Sequence, residues 1–416
     1  MHITTRILQR GTWPNARAVA AALRTETVGG ALLLAAAGLA ARTHLVCAES
    51  ELPYQRPPLS KAFLKNPAEA LQLHRGEGWF AEAGVTLHRG DAAHSIARAA
   101  RTLTLRSGAV LPYEWLVLAT GATARTLPGL PAGLANVAVL RSAADALRLR
   151  DLLTAASRVT VLGGGFIGLE IAATANALGK SVAVLEAAPR LLQRSLSPEL
   201  AEHVLATHRA NGIDVRLGAT VGDFVIEGER IAALSVDGVR EPVELLVMGI
   251  GAAPDVQLAQ AAGLECNNGI VVDASLRTSD PAILAIGDCA AFPEHGGARR
   301  LRLESVQNAN DQARTALATI QGASDSYRAL PWFWSEQGSM RLQMAGLMPP
   351  EGTRHRRPGA TPASFSILHY AGERLMCVES VNAPLDHMAA RKLLEAGKSP
   401  APALACDAAV PLKQHI

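Results

Sequence analysis

The pattern of apolar residues is clearest in the middle of the chain. Arg158–Leu162 is a short apolar run that predicts a buried strand, and Ser181–Leu185 is a second run of the same kind. Between them the turn Gly163–Gly168 leads into Phe166–Leu178, whose small apolar residues have helical spacing. A strand, a helix and a strand in this order form the βαβ unit of a parallel, doubly wound α/β sheet.

Three further apolar runs end at small or acidic residues, as strands do where the backbone must approach a ligand. The runs are Glu114–Ala119 before Thr120-Gly121, Leu245–Ile250 before Gly251, and Ala282–Ile286 before Gly287-Asp288. They predict further strands of the same α/β class.

Beyond about residue 325 the pattern changes. Aromatic residues gather at Trp332–Trp334, and alternating runs follow at Phe365–Tyr370 and Leu375–Val381. This predicts a small C-terminal domain of sheet and helix. The densest basic run of the chain, Arg354–Arg357, is interpreted first as an exposed loop and second as a docking patch.

Composition narrows the possible functions. The 416 residues are 49% hydrophobic and 19% charged, which is typical of a globular protein. A net charge of +3 is too mild to indicate nucleic-acid binding; it permits an acidic protein partner, but a solvated surface of mixed charge is the first interpretation. No apolar run reaches the roughly 18–20 residues of a membrane span. The five cysteines are scattered without a C-x-x-C pair. They favour a reducing, cytoplasmic compartment and argue against a disulfide scaffold, a zinc site and a redox-active dithiol.

The glycine turn carries the most specific chemistry. Gly163 permits a tight turn after the strand, Gly165 lets the backbone reach a pyrophosphate, and Gly168 lets the helix pack closely on the sheet. Glu186, at the end of the second strand, is placed to bind a ribose diol and to repel a 2′-phosphate, which favours NAD over NADP. The alternative is a glycine turn in an unrelated α/β protein.

Five other residues are candidates, and each also has a purely structural interpretation. Asp288 at a strand end can accept hydrogen bonds from a sugar alcohol such as flavin ribityl, or it can simply cap a helix. Lys61 follows two stiffening prolines and can stabilise an anionic flavin, or it can be a surface lysine. Glu170 can pair with Lys61 or contact a nicotinamide, or it can be a favourable first-turn acid. Of Trp332 and Trp334, we expect one in the core and one beside the flavin.

Several segments together resemble one family, the bacterial ferredoxin reductases that serve haem-thiolate monooxygenases and ring dioxygenases. The resemblance covers about residue 45 to the end. The matching segments are Tyr54–Lys61 (Y-Q-R-P-P-L-S-K), Leu116–Ala122, Gly163–Glu170, Ala285–Ala290, Arg302–Ala309, Pro331–Gln337 (P-W-F-W-S-E-Q) and Val378–Lys392.

The resemblance implies a glutathione-reductase-like fold with two Rossmann-like nucleotide-binding domains and a C-terminal α+β interface domain. It places an FAD-binding domain in residues 1–115 and 245–325, an NAD-binding domain in 116–244 and the interface domain in 326–416.

The resemblance also implies the site residues. Lys61 and Glu170 are the catalytic candidates. The implied FAD contacts are Glu49, Lys61, Ala93, Arg141, Asp288, Val306 and Trp334. The implied NAD contacts are Gly163, Gly165, Phe166, Ile167, Gly168 and Glu186. Arg302 and Arg314 match positions that meet an acidic ferredoxin.

The N-terminus departs from the family. Members open with a strand, a G-x-G-x-x-G loop and a helix, and the loop binds the FAD pyrophosphate. Here Asn15–Arg24 is interpreted as that helix, and Arg10–Asn15 before it has one glycine and one proline in place of three glycines. Each backbone N–H bond lost to a phosphate removes about 1.5–3 kcal/mol, so weakened FAD binding is expected.

The predicted function is the FAD-dependent transfer of electrons from NADH to a [2Fe–2S] ferredoxin that feeds a monooxygenase or dioxygenase. Two alternatives remain at this point. One is an inactive or NADH-binding remnant without FAD, which the N-terminus suggests. The other is a different flavin NADH oxidoreductase of the same fold, which the serine at position 60 and the absence of C-x-x-C disfavour.

Overall fold

The computed structural model describes residues 19–23, 38, 42–295, 297, 299–323 and 326–416. The chain forms two compact units. Unit 1 contains residues 1–55, 71–123 and 253–329, and unit 2 contains residues 56–70, 124–252 and 330–416. The three-domain division predicted from the sequence remains a prediction.

The helices and strands follow in chain order. The strands are β1 (Val19–Leu23), β2 (Thr43–Cys47), β3 (Thr86–Arg89), β4 (Ala93–Ala97), β5 (Thr102–Leu105), β6 (Val110–Pro112), β7 (Trp115–Ala119), β8 (Ala122–Ala124), β9 (Val137–Ala138), β10 (Arg158–Leu162), β11 (Ser181–Glu186), β12 (Asp214–Leu217), β13 (Val221–Glu227), β14 (Arg230–Val236), β15 (Val239–Pro242), β16 (Leu245–Met248), β17 (Ala252–Pro254), β18 (Ile270–Val271), β19 (Ile283–Ala285), β20 (Ala290–Pro293), β21 (Arg300–Leu301), β22 (Trp332–Gln337), β23 (Met340–Gly346), β24 (Thr353–Pro358), β25 (Phe365–Ala371) and β26 (Arg374–Val381). The α-helices are α1 (Ala62–Lys65), α2 (Glu77–Ala83), α3 (Ala143–Ala155), α4 (Phe166–Ala177), α5 (Pro198–Ala210), α6 (Gln257–Ala261), α7 (Val306–Ile320), α8 (Pro384–Glu395) and α9 (Pro402–Ala405).

Unit 1 is built on a parallel five-stranded sheet with the order β19-β7-β1-β2-β3. Its core contains the apolar residues of the strands, including Leu45, Leu116, Leu118 and Ile283. The strand order reverses at β1, which lies between β2 and β7. In sheets of this kind ligands bind at the carboxyl ends of the strands at the point of reversal.

The interpretation of Asn15–Arg24 as a helix is wrong for the residues that the structure describes. Val19–Leu23 is strand β1 and pairs in parallel register with β2 on one side and β7 on the other. The alanine-rich sequence favours a helix by propensity, but pairing on both edges overrides that weak preference. The rest of this segment, and Arg10–Asn15 before it, lie outside the described residues.

Unit 2 contains a second parallel sheet, with the order β12-β11-β10-β16-β9. Apolar side chains of its strands are buried in the core, among them Val159, Val161, Val182 and Val184. The order reverses between β10 and β16, and the glycine turn follows β10. The predicted α/β class with two doubly wound parallel sheets is therefore confirmed.

The C-terminal part of unit 2 is an antiparallel sheet with the order β22-β23-β26-β25-β24, against which α8 packs. The alternating runs predicted as strands are β25 and β26. None of the helices in the described part of the chain has the length and apolar character needed to cross a bilayer.

Arg354–Arg357 is not an exposed loop but part of strand β24. Arg357 is buried, and its guanidinium donates to Asp386 Oδ2 at 3.0 Å. It also donates to the carbonyl oxygens of Ala405, Asp407 and Val410 at 2.9, 2.7 and 2.9 Å. One side chain therefore holds the last segment of the chain against the sheet.

His387 is a buried titratable group on α8 with an unusual environment. Neither ring nitrogen has a hydrogen-bond partner among the described residues. Its ring and that of Trp332 are in an edge-to-face arrangement with centroids 6.0 Å apart, and the guanidinium of Arg391 lies over the Trp332 ring, 4.3 Å from its centroid. Burial lowers the pKa of His387 to about 4, and the positive charges of Arg391 and Arg341 act in the same direction.

We expect Arg357→Leu to lower the free energy of unfolding by about 3–5 kcal/mol, because it leaves Asp386 and three carbonyl groups without their charged donor. Urea denaturation measures the loss, and amide exchange should locate it in residues 402–416. Arg354→Leu is the matched control, since Arg354 lies on the same strand and is exposed. Equal losses in the two variants would contradict the assigned role.

We expect His387 to make unfolding pH-dependent. Its pKa in the folded protein lies below the unfolded value of 6.5, so its contribution to stability is fully present above pH 6.5 and is lost as the pH falls toward 4. At pH 5 the loss amounts to about 2 kcal/mol.

Urea denaturation at pH 7.5 and at pH 5 should therefore give a smaller difference for His387→Phe than for the wild type. His94→Phe, at an exposed position of β4, is the control. An unchanged pH dependence in His387→Phe would refute the prediction.

Candidate functional site

The glycine turn of unit 2 is held together by close backbone contacts. Gly163 has a φ of +97°, and a Cβ atom there would lie 2.5 Å from the carbonyl oxygen of Gly249. A Cβ atom at Gly168 would lie 2.3 Å from the carbonyl oxygen of Gly163. Both positions therefore require glycine for the packing of α4 and β16 around the turn.

Gly165 differs from its neighbours because the protein itself does not require it. A Cβ atom there would meet only the carbonyl oxygen of Gly249 at 3.7 Å, an ordinary contact. Gly165 directly precedes α4, whose first-turn N–H groups favour an anion. A backbone left bare at this point fits a pyrophosphate that approaches the turn closely.

Glu186 lies at the end of β11 beside the turn. Its Oε2 accepts from the N–H of Gly164 at 2.6 Å, and its Oε1 accepts from the N–H of Ala188 at 2.7 Å. The carboxylate is thus fixed next to the glycine turn. This is the location that sequence spacing predicts for a ribose-binding acid.

The first residues of α4 point in different directions. Phe166 packs against Phe333 with the ring centroids 4.6 Å apart. Ile167 is 47% exposed, which makes it a surface residue of the turn. Glu170, one turn later, is buried.

Lys61 and Glu170 form an ion pair inside unit 2. The Nζ atom of Lys61 lies 2.6 Å from Oε2 of Glu170, and the two side chains are 21% and 4% exposed. Lys61 Nζ also donates to the carbonyl of Pro57 at 3.1 Å and to Ser60 Oγ at 3.2 Å. All three ammonium hydrogens therefore have protein acceptors, and the positive charge is fixed in place.

Glu170 receives donors on both carboxylate oxygens. Ser60 Oγ donates to Oε2 at 2.5 Å, and Ser335 Oγ donates to Oε1 at 2.7 Å. The backbone N–H of Glu336 lies 3.4 Å from Oε1. Burying this ion pair would otherwise cost several kcal/mol per charge, so the added hydrogen bonds decide whether it is tolerated.

The two tryptophans of β22 lie on one face of the strand. Trp332 and Trp334 stack with centroids 5.6 Å apart and an interplanar angle of 30°, and both are half-buried. The expectation of one core and one flavin-side ring remains a prediction. Arg141, another implied FAD contact, lies just before α3, where its N–H donates to Asp145 Oδ2 and its carbonyl accepts from Arg56.

In unit 1, Asp288 lies in a short 3-10 turn, Gly287–Cys289, directly after β19. The turn is held by Gln312 of α7, whose Oε1 accepts from the N–H of Gly287 at 2.7 Å. The amide nitrogen of Gln312 is buried and has no partner among the described residues. A buried carboxylate and a buried donor at a strand end fit a ligand rich in hydroxyl and phosphate oxygens.

Three other implied FAD contacts also lie in unit 1. Glu49 follows β2, and its Oε2 accepts from the hydroxyl of Tyr54 at 2.5 Å. Ala93 begins strand β4, and Val306 is the first residue of α7, after the N-cap Ser305. Their contacts with FAD stay predictions.

The two arginines that the resemblance implies in partner binding differ in solvent exposure. Arg302 is only 12% exposed and donates to Glu304 Oε1 at 2.6 Å and to the carbonyl of Asp288 at 3.1 Å. Arg314 is 63% exposed and pairs with Asp311 one turn away on α7. Arg302 therefore supports the Asp288 turn, while Arg314 faces solvent.

The structure brings together two of the predicted groups in unit 2: Lys61 with Glu170, and the glycine turn with Glu186. It also adds residues that sequence pattern does not single out. Three of them lie inside segments that carry the family resemblance: Ser60, Ser335 and Gln337. The sequence therefore pointed to these segments but did not indicate what the three side chains contact. No local sequence pattern marks Gly249, whose carbonyl oxygen contacts the glycine turn, or His208, whose Nε2 lies 2.8 Å from Gln337 Oε1, because their partners are distant in sequence.

The cysteines do not provide a reactive thiol. All five are free, and Cys47, Cys289 and Cys377 are buried. Burial raises the pKa of Cys47 to about 12 and also raises the pKa of Cys289. Among the described residues, no cluster of three His, Cys, Asp or Glu side chains is arranged to hold a metal ion.

Two named relatives align in sequence with most of this chain. Rhodocoxin reductase of Rhodococcus erythropolis is 42% identical over 389 residues, which cover 93% of this chain and 91% of the relative. Putidaredoxin reductase of Pseudomonas putida is 37% identical, with 92% of each chain covered.

Solved structures share the fold over nearly the whole length. The ferredoxin reductase of the CYP199A2 system of Rhodopseudomonas palustris superposes with a TM-score of 0.90 at 40% identity, covering 96% of this chain and 99% of that one. Putidaredoxin reductase in its covalent complex with putidaredoxin gives a TM-score of 0.91 at 35% identity, covering 96% and 98%.

Two family models match successive parts of the chain. Residues 28–313 match the pyridine nucleotide-disulphide oxidoreductase model, and residues 332–416 match the reductase C-terminal model. The first match alone covers well over half of the chain. The chain therefore belongs to the pyridine nucleotide-disulphide oxidoreductase family, in the group of ferredoxin reductases that carry the reductase C-terminal domain.

Proposed function

We propose that this protein is an FAD-dependent ferredoxin–NAD⁺ reductase, which oxidises NADH and passes the electrons to a [2Fe–2S] ferredoxin that serves an oxygenase. The observation that carries the proposal is the presence of two separate parallel sheets in one chain. Each has a polar turn at the carboxyl end of its strands, Gly163–Gly168 in unit 2 and Gly287–Cys289 in unit 1. Two such sites are what a protein needs to bind two dinucleotides.

FAD, when bound, accepts a hydride from NADH and gives up the two electrons one at a time. The protein's part is binding, orientation and electrostatics. We assign the NAD pyrophosphate to the turn at Gly163, Gly165 and Gly168, flanked by Phe166 and Ile167. Glu186 binds the ribose diol and disfavours NADPH.

Lys61 supplies a fixed positive charge next to the flavin. Three acceptors hold its ammonium in place, so Lys61 would offer a bound flavin a fixed positive charge that stabilises negative charge on the ring. Glu170 keeps it in place. We assign FAD contacts to Glu49, Ala93, Arg141, Asp288, Val306 and Trp334, with Asp288 holding the ribityl and pyrophosphate region.

We extend the proposal to the domain limits and the compartment. The FAD-binding domain comprises residues 1–115 and 245–325, the NAD-binding domain 116–244 and the interface domain 326–416. The free cysteines support a cytoplasmic location, since thiols persist in reducing compartments.

The alternatives are less well supported. A disulfide reductase or peroxidase of this fold needs a reactive thiol, whereas burial raises the pKa of Cys47 and Cys289. The N-terminal sequence favours the other alternative, a remnant without FAD. This alternative has less support, because the relatives that align over most of this chain are named as reductases.

The decisive measurement is the visible spectrum of the purified protein, with FAD added if needed, before and after NADH under anaerobic conditions. We expect a flavin spectrum that NADH bleaches and NADPH bleaches far more slowly. Glu186→Ala should narrow the difference between the two nucleotides, while Glu202→Ala, an exposed glutamate on α5, should leave it unchanged. A protein that binds no flavin, or a bound flavin that NADH does not bleach, would reject the proposal.

We expect Arg314 to contribute to ferredoxin docking because it is an exposed cation on α7. Arg314→Glu should raise the KM for an acidic [2Fe–2S] ferredoxin by about threefold to tenfold, and added salt should shrink the effect. Reduction of ferricyanide by NADH should not change, since this small acceptor needs no docking surface. Arg106→Glu reverses another exposed charge of unit 1 and serves as the control; a matching rise in its KM would remove the specific role of Arg314.

A further inference from the structure

A chain of buried side chains extends from Glu170 across unit 2. Ser335 Oγ donates to Glu170 Oε1 at 2.7 Å, and Gln337 Nε2 donates to Ser335 Oγ at 3.2 Å. At the far end, His208 Nε2 lies 2.8 Å from Gln337 Oε1. The members come from α4, β22 and α5, and all are at most 4% exposed.

The chain has a fixed direction. The Oε1 atom of Gln337 is a carbonyl oxygen and can only accept, so His208 must carry its proton on Nε2 and donate. His208 thereby holds the amide of Gln337 with its N–H toward Ser335. The hydroxyl of Ser335 already accepts from that N–H, so its own hydrogen is directed at Glu170.

Reversal of the Gln337 amide would break this order. Its carbonyl oxygen would then face Ser335 and would take the hydroxyl hydrogen away from Glu170. His208 opposes reversal, because a reversed amide would donate to Nε2 and force the ring proton onto Nδ1, where it would be a buried donor with no partner among the described residues. Burial lowers the pKa of His208, which keeps a single proton on the ring near neutral pH.

A second, shorter series of hydrogen bonds leads to the other carboxylate oxygen of Glu170. Ser60 accepts from Lys61 Nζ and donates to Glu170 Oε2, so it repeats the role that Ser335 has on Oε1. The carbonyl of Ser60 also accepts from Thr174 Oγ1 at 2.8 Å, which ties this segment to α4 one turn beyond Glu170. The carboxylate is therefore clamped between two serine hydroxyls.

We propose that Ser335, Gln337 and His208 are positioning residues that hold Glu170 and, through it, the Lys61 ammonium. Ser335 donates directly to the carboxylate, and Gln337 and His208 align their dipoles behind it in the same direction, so that together they offset part of the negative charge of Glu170. The net field around the Lys61–Glu170 pair is more positive as a result, and the reduced, negatively charged flavin is stabilised. This role rests on the proposed function, since it requires a flavin beside Lys61.

The first test needs no cofactor. In apoprotein with ¹⁵N-labelled histidine, the nitrogen shifts of His208 should be those of a neutral ring with its proton on Nε2, and Gln337→Leu should alter them. A proton on Nδ1 would contradict the direction of the chain.

The second test is the midpoint potential of the bound flavin, titrated with dithionite. Ser335→Ala and His208→Leu should each weaken binding of reduced relative to oxidised flavin by up to about tenfold, which lowers the two-electron potential by up to about 30 mV. His208→Gln should restore the wild-type potential, because glutamine also presents an N–H donor to Gln337.

A matched control separates positioning from stability. Ser366 lies in the same sheet, is fully buried and shares a hydrogen bond with Ser380 at 2.9 Å, without contacting Glu170. Ser366→Ala should destabilise the fold comparably and leave the potential unchanged. If Ser335→Ala and His208→Leu match this control, the positioning role is overturned while the proposed function stands. A wild-type protein that binds no flavin overturns both.

Discussion

The buried carboxylate of Glu170 is the constraint around which unit 2 is organised. A charge at this depth is tolerated only when cations and donors surround it, and here one ammonium, two hydroxyls and a backbone N–H do so. These groups come from the Pro57–Lys61 segment and from strand β22. The ion pair therefore links stretches of chain that are about 110 and 165 residues apart in sequence from the glutamate.

The glycine turn imposes a second constraint of a different kind. Here the requirement is space rather than charge, because Gly163, Gly168 and Gly249 approach one another too closely for any side chain. Gly165 is the exception, since a Cβ atom there would make only an ordinary van der Waals contact. This contrast separates glycines that the fold requires from one that it does not require, a distinction that the motif G-x-G-x-x-G does not make by itself.

The two constraints act on one helix. The first turn of α4 begins at the glycine turn, and Glu170 lies one turn further on the same helix. Any nucleotide bound at the turn is thus fixed relative to the Lys61–Glu170 pair by rigid backbone. Precise spacing between a bound cofactor and a charged group is what transfer chemistry requires of a protein scaffold.

The sequence by itself determined the βαβ unit, the α/β class, the glycine turn with Glu186, and the family, because these depend on short-range patterns of glycine, apolar and acidic residues. Tertiary structure alone decided that Val19–Leu23 is a strand, since alanine-rich segments follow the pairing available to them. It likewise decided that Arg357 is buried and that Ser335, Gln337 and His208 converge on Glu170. Such roles arise from contacts between residues far apart in the chain, and no local pattern encodes the partner of a buried polar group.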